Sequence, residues 1–159
     1  MIAMAAPVAA AASPTGGAMF KSIDETLLVA PQITVADVAA AKAQGVTLIV
    51  NNRPDGEDPA APQGDEIAAA ARAAGVRYVA IPVSPAGIGA GEVAAMADAL
   101  AGAGGRTLAY CRSGTRSTHL WALARASRGA EPDALVAAAR AAGYDLAALK
   151  PRLDALAAE

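Results

Sequence analysis

Four short apolar runs, each followed by a stretch of helical length, constrain this chain more than any other feature. The runs lie at residues 26–30, 46–50, 76–81 and 106–110. Between them, residues 34–44, 65–74 and 92–103 read as alanine-rich helices. Two strands run parallel in one sheet only if a long crossover joins them, and a helix is the usual crossover. The predicted fold class is therefore α/β, in three layers: a central, mainly parallel sheet of four to five strands with helices on both faces.

Local signals agree with that reading. Thr34 is a good N-cap, and Gly45 stands where a helix end needs a left-handed residue. Val46-Thr-Leu-Ile-Val50 is apolar almost throughout, as suits a central parallel strand. Gly75 ends the second helix; Val93, Met96 and Leu100 share one side of the third, and Gly104-Gly105 break it. In the tail, helical runs at 132–142 and 145–158 flank Gly143, and Pro151 is expected to bend or interrupt the second.

A chain of 159 residues holds one domain with a proper core and is short for two. With 3% aromatic residues, that core must be built from Val, Ile, Leu, Met and Ala. Residues 1–18 are alanine-rich, interrupted by Pro7, Pro14, Gly16 and Gly17. No basic residue precedes the apolar run, and alanine drives insertion weakly, so this stretch reads as a disordered extension rather than a signal peptide. Residues 19–159 then form a single catalytic domain, with Met19-Phe20-Lys21 an alternative start. No run of about 18 strongly apolar residues is present, which argues against a membrane span.

Thirteen basic and fifteen acidic residues leave a formal charge of −2. That balance provides no broad field for phosphate backbones or anionic lipid, so neither nucleic acid nor membrane is an expected partner. The single cysteine, Cys111, excludes an intramolecular disulfide and a cysteine-based zinc cluster. No metal or organic cofactor is expected. A lone thiol fits a reducing, cytoplasmic setting.

In open parallel sheets ligands sit beyond the C-terminal strand ends. The loops at 51–63, 82–89 and 111–117 emerge there, and the third carries the chemistry. Tyr110-Cys-Arg-Ser-Gly-Thr-Arg-Ser117 joins a buried strand to a helix containing Leu120, Trp121 and Leu123. A loop entering a helix aims several N–H groups at one point, and the helix dipole adds positive charge there. Gly114 permits unusual backbone angles. Arg116 supplies a planar fork suited to an oxyanion. Together these favour a thiolate, making Cys111 the nucleophile, with Arg116 and Ser117 as catalytic partners and Ser117 a candidate donor to the sulfur. Arg112, Ser113, Gly114, Thr115 and, from the first loop, Arg53 are the expected anion-binding set. The plainer alternative is a buried cysteine beside two exposed arginines. A helix N-terminus disfavours basic residues, however, so arginines there point to an anion.

Asp55, Glu57 and Asp58 share the rim with Arg53. Asp55 or Glu57 is a possible proton donor; alternatively Asp55-Gly56 only forms a turn. His119 is expected to pack or face solvent rather than to activate the thiol, and Trp121 to anchor the core. Arg140, Lys150 and Arg152 read as solvated.

The segment Cys111-Arg-Ser-Gly-Thr-Arg-Ser117 resembles the active-site loop of rhodanese sulfurtransferases, Cys-Arg-x-Gly-x-Arg-Ser. Taken with Asn51-Asn-Arg-Pro-Asp-Gly-Glu57, Ile81-Pro-Val83 and Leu120-Trp-Ala-Leu123, it resembles a narrower group, the bacterial beta-lactamase-hydrolase-like, phosphatase-like domain family. The resemblance runs from about residue 20 to 142. It implies a fold like the dual-specificity protein tyrosine phosphatases, and an activity of either phosphatase or sulfurtransferase type.

Two departures bear on that choice. Cysteine phosphatases use Cys-x5-Arg, usually after a histidine; here the spacing is Cys-x4-Arg after Tyr110, and Ser117 stands where their arginine would lie. Their general-acid Asp follows the third strand, where this chain reads Ile81-Pro-Val-Ser-Pro-Ala-Gly87 without a carboxylate. Losing such an acid costs on the order of 10²–10⁴ in rate for an ester, and sulfur transfer needs none. The expected function is therefore a rhodanese-type sulfurtransferase moving sulfur from thiosulfate or a persulfide through a Cys111 persulfide. The acceptor is cyanide, a small thiol or a protein thiol. The alternatives are a cysteine-dependent phosphatase working on phosphate esters through a phosphocysteine, and a catalytically silent anion-binding module.

Overall fold

Alternation of side chains along the strands sets the layers. In the computed structural model, which describes residues 20–159, the strands are β1 (Lys21–Ser22), β2 (Leu27–Ala30), β3 (Val46–Asn51), β4 (Arg77–Ala80) and β5 (Arg106–Tyr110). They form one sheet in the order β1-β2-β5-β3-β4, parallel except for the edge strand β1. The helices are α1 (Val35–Ala43), α2 (Gly64–Ala74), α3 (Ala90–Ala101), α4 (Thr115–Ser127), α5 (Pro132–Ala141) and α6 (Lys150–Ala157). Leu28, Ala30, Ile49, Leu108 and Tyr110 pack under α1 and α2. Their strand neighbours Leu27, Val29, Leu48, Val50 and Ala109 face α3 to α6 on the other side. The predicted three-layer α/β fold is the observed one.

Strand β5 lies at the centre of the sheet and feeds directly into the Cys111 loop. Trp121, 2% exposed, anchors the larger core from α4, as predicted. Thr34 caps α1 through a reciprocal hydrogen-bond pair with Asp37, and Gly45 follows that helix at φ +89°. Two boundaries differ from expectation. Strand β1 was not predicted, because a two-residue edge carries no periodic signal. Pro151 does not bend the last helix but begins it: a short 3-10 turn at Ala147–Leu149 hands over to α6, where proline's missing N–H sits among donors that have no helical acceptor. Among the described residues no helix is long and apolar enough to cross a membrane. The extension read over residues 1–18 lies outside the described residues.

Candidate active site

Cys111 follows the last residue of β5 and has no exposed surface. Its sulfur is not seated among aliphatic groups alone: the Gly114 N–H donates to Sγ at 3.1 Å. Gly114 adopts φ +90°, which swings the loop from the strand into α4 so that this N–H turns back onto the sulfur. The first turn of α4 supplies further N–H groups that have no helical acceptor. Ser113 and Thr115 close the outer side, hydroxyl to hydroxyl at 3.0 Å.

Arg116 lies in the first turn of α4 and is held by a carboxylate from another loop. Its Nη1 donates to Glu57 Oε2 at 2.9 Å and to the Val83 carbonyl at 2.7 Å, while Nη2 donates to Glu57 Oε1 at 2.8 Å. Glu57 also accepts from Arg53 Nε at 2.8 Å, and Arg53 Nη1 donates to Gln32 Oε1 at 2.9 Å. A chain Gln32–Arg53–Glu57–Arg116 thus leads to Cys111. The Glu57 contact, and after it the charge of Cys111, pushes the Arg116 pKa up, so the guanidinium stays cationic beside the sulfur.

The same chain bears on Glu57. The Arg116 hydrogen bond, reinforced by Arg53 against the opposing effect of burial, holds its carboxyl at about 2. Held low by its two arginine partners, Glu57 stands ionised at neutral pH, which favours a role as a support for Arg116 over that of a proton donor. Its contribution to stability is complete above its ordinary value of 4.5 and is lost as pH falls from there towards about 2. Acid unfolding followed by circular dichroism should therefore show Glu57→Gln less stable than the parent at pH 6, with the gap closing near pH 2.

The structure distributes the other predicted residues as follows. Asp55 Oδ1 accepts from the Gly64 N–H at 2.8 Å at the start of α2, and Gly56 beside it takes φ +81° in a turn. Asp55 is thus a helix-start acceptor, and the turn reading holds. Arg53 is 10% exposed in its side chain and committed to Glu57 and Gln32, so it supports Arg116 from behind. Arg112 is exposed, and with Arg53, Glu57 and Asp58 it lines an open mouth of about 300 Å³. Ser117 donates to Asn52 Oδ1 at 2.7 Å, fully buried, so its proton goes there and not to the sulfur. His119 is half-buried on α4, and burial pushes its pKa down. Tyr110 points into the α1–α2 layer, away from Cys111, and burial pushes its hydroxyl pKa up. Arg140 and Arg152 are exposed, whereas Lys150 pairs with Asp133 and Asp154.

Three residues with a part in the site were missed. Asn52 binds Ser117 and the Ile81 carbonyl at 2.9 Å, Gln32 ends the arginine chain, and Tyr144 donates to the Ser113 carbonyl at 3.2 Å. Only Asn52 lay within a recognised motif.

The chain is similar to known proteins. Residues 19–128 match the family described as beta-lactamase hydrolase-like protein, phosphatase-like domain. A beta-lactamase hydrolase-like protein of Agrobacterium fabrum is 40% identical over 107 residues, covering 67% of this chain and 25% of the relative. The chain spans about a quarter of that relative's length. A crystal structure described as a phosphatase candidate, from Neisseria meningitidis, superposes with a TM-score of 0.74 at 34% identity, covering 86% of this chain and 96% of that one. TpbA of P. aeruginosa, solved with pTyr, shares the fold at 17% identity and TM-score 0.61, with 89% and 94% covered.

The phosphatase-like family model and the Neisseria phosphatase candidate overturn the expectation of sulfur transfer. Residue count along the loop was a poor measure of its chemistry. The cationic group comes from the first turn of α4, fixed from outside by Glu57 and the Val83 carbonyl, so the loop's length alone does not set what the cradle accommodates.

Proposed function

We propose that this chain, which belongs to the phosphatase-like domain family of the beta-lactamase hydrolase-like proteins, is a cysteine-dependent phosphatase for phosphate monoesters. The observation that carries this reading is the seat of Cys111. Its sulfur receives an N–H at the mouth of a helix and lies beside a guanidinium fixed by a bidentate carboxylate. The phosphotyrosine on TpbA and the phosphatase likeness of the Neisseria protein support the same substrate chemistry.

The reaction runs in two displacements. In the first, the Cys111 thiolate attacks phosphorus; the S–P bond forms, and the P–O bond to the alcohol breaks with its electron pair leaving on oxygen. Arg116 and the amides at the start of α4 hold the equatorial oxygens, where charge spreads in the transition state. In the second, water attacks phosphorus, the P–S bond breaks, and inorganic phosphate leaves with the thiolate restored.

Proton supply to the leaving oxygen is the weak point. The loop at 82–89 carries no carboxylate, Asp55 caps α2, Glu57 is ionised, and Asp58 accepts from the Ala60 N–H and faces Arg53 at 3.9 Å. Esters whose alcohol departs without a proton are therefore the favoured substrates, which means aryl rather than alkyl phosphates. Turnover of 4-nitrophenyl phosphate should exceed that of a simple alkyl phosphate by about 10²–10⁴ in kcat/KM, and vanadate should inhibit competitively. Equal rates on both esters would show an acid that this reading does not contain. No turnover of either, with a free and reactive Cys111, would reject the proposal.

A further inference from the structure

The peptide that joins Ser113 to Gly114 is held at both ends. Its N–H, on Gly114, donates to Cys111 Sγ at 3.1 Å. Its carbonyl, on Ser113, accepts from Tyr144 Oη at 3.2 Å. In a trans peptide these two groups point in opposite directions, so fixing one fixes the other. Gly114, at φ +90°, is the residue type that crosses between backbone regions most easily. A half-turn of this single peptide would aim the Ser113 oxygen at the sulfur. A donor would be replaced by the negative end of a dipole, and the cradle would repel the anion it is built to hold.

We infer that Tyr144 is a positioning residue whose hydrogen bond keeps the Ser113–Gly114 peptide turned with its N–H on Cys111. The fit is close. A Cβ placed on Gly114 would stand 2.3 Å from Tyr144 Oη and 3.1 Å from Cζ, so the ring end rests against the loop backbone itself. Tyr144 is 9% exposed, and burial, followed by the charge of Cys111, pushes its pKa up; it remains a donor throughout the working range. Lys21 of β1 sits over the ring, 5.2 Å from its centroid, and braces it from the sheet edge. Tyr144 lies beyond residues 19–128, the segment matched to the family, so this brace comes from the tail of the chain.

The inference rests on the phosphatase reading for its consequence in catalysis, but its test does not. Tyr144→Phe keeps the ring and removes one hydroxyl. Three quantities are compared with the parent: the pH dependence of Cys111 alkylation by iodoacetamide, kcat and KM for 4-nitrophenyl phosphate, and Tm. The expected result is an alkylation midpoint higher by about one pH unit, since a hydrogen bond to the ionised sulfur is weakened. It is accompanied by a loss of about tenfold, carried by kcat, with Tm within a few degrees of the parent. An unmoved midpoint overturns the inference, whether or not Tm falls, because a purely structural tyrosine would leave the sulfur unchanged. A midpoint that moves in a protein whose parent hydrolyses no phosphate ester upholds the brace and rejects the phosphatase reading.

Discussion

Cys111→Ser should lower hydrolysis of 4-nitrophenyl phosphate by about 10⁴-fold or more while leaving the melting temperature close to that of the parent. The two results follow from different properties of one atom. Oxygen is smaller than sulfur and still accepts the Gly114 N–H, so the buried seat tolerates it. A serine hydroxyl is a far weaker acid than a thiol, and one N–H with a nearby guanidinium does not ionise it. The variant should therefore bind vanadate or phosphate without turning over ester. Rapid quenching of the parent with substrate should trap a phosphorylated protein that the serine variant never forms. Activity within tenfold of the parent would mean that another group attacks phosphorus, and Cys111 would lose its role.

Arg116→Lys should cost about 10²–10³-fold, mostly in kcat, although the charge is kept. The guanidinium makes three contacts from two nitrogens, two with Glu57 and one with the Val83 carbonyl. A lysine ammonium cannot satisfy both Glu57 oxygens in the same plane, so it settles in one of several positions. Glu57, only 20% exposed in its side chain, then loses much of the partnership that holds its carboxyl low. The substrate meets a charge that is present but misplaced, and misplacement is felt most where charge spreads in the transition state. A lysine variant as active as the parent would show that charge alone suffices and that the fork has no geometric role.

Much of the fold was legible because its signals are local. Apolar runs, alanine-rich stretches, Thr34 and Gly45 each dictate backbone conformation within a few residues, and all four main strands and their helices follow. Cys111 and Arg116 were legible for the same reason, since strand, glycine and helix start are consecutive in the chain. What spacing did not reveal was tertiary. Glu57 looked like an acid until two guanidiniums were found beside it, and Ser117 looked like a sulfur partner until Asn52 was found nearer its hydroxyl. Tyr144 reaches the loop from 31 residues away. The choice of activity failed in the same way: loop length was counted, whereas the supports that fix the arginine come from elsewhere.

Asn52 has a wider consequence. Its backbone N–H meets the Tyr110 carbonyl, its carbonyl receives the Val83 N–H, its amide nitrogen donates to Ile81, and its amide oxygen accepts from Ser117. One wholly buried side chain and its backbone therefore stitch all three strand-end loops together. The inner rim is thereby tied at three points to one hub. The exposed stretch from Ser84 to Gly87 and Arg112 lie outside this hub, so substitutions there should alter what the site admits while leaving the hub intact.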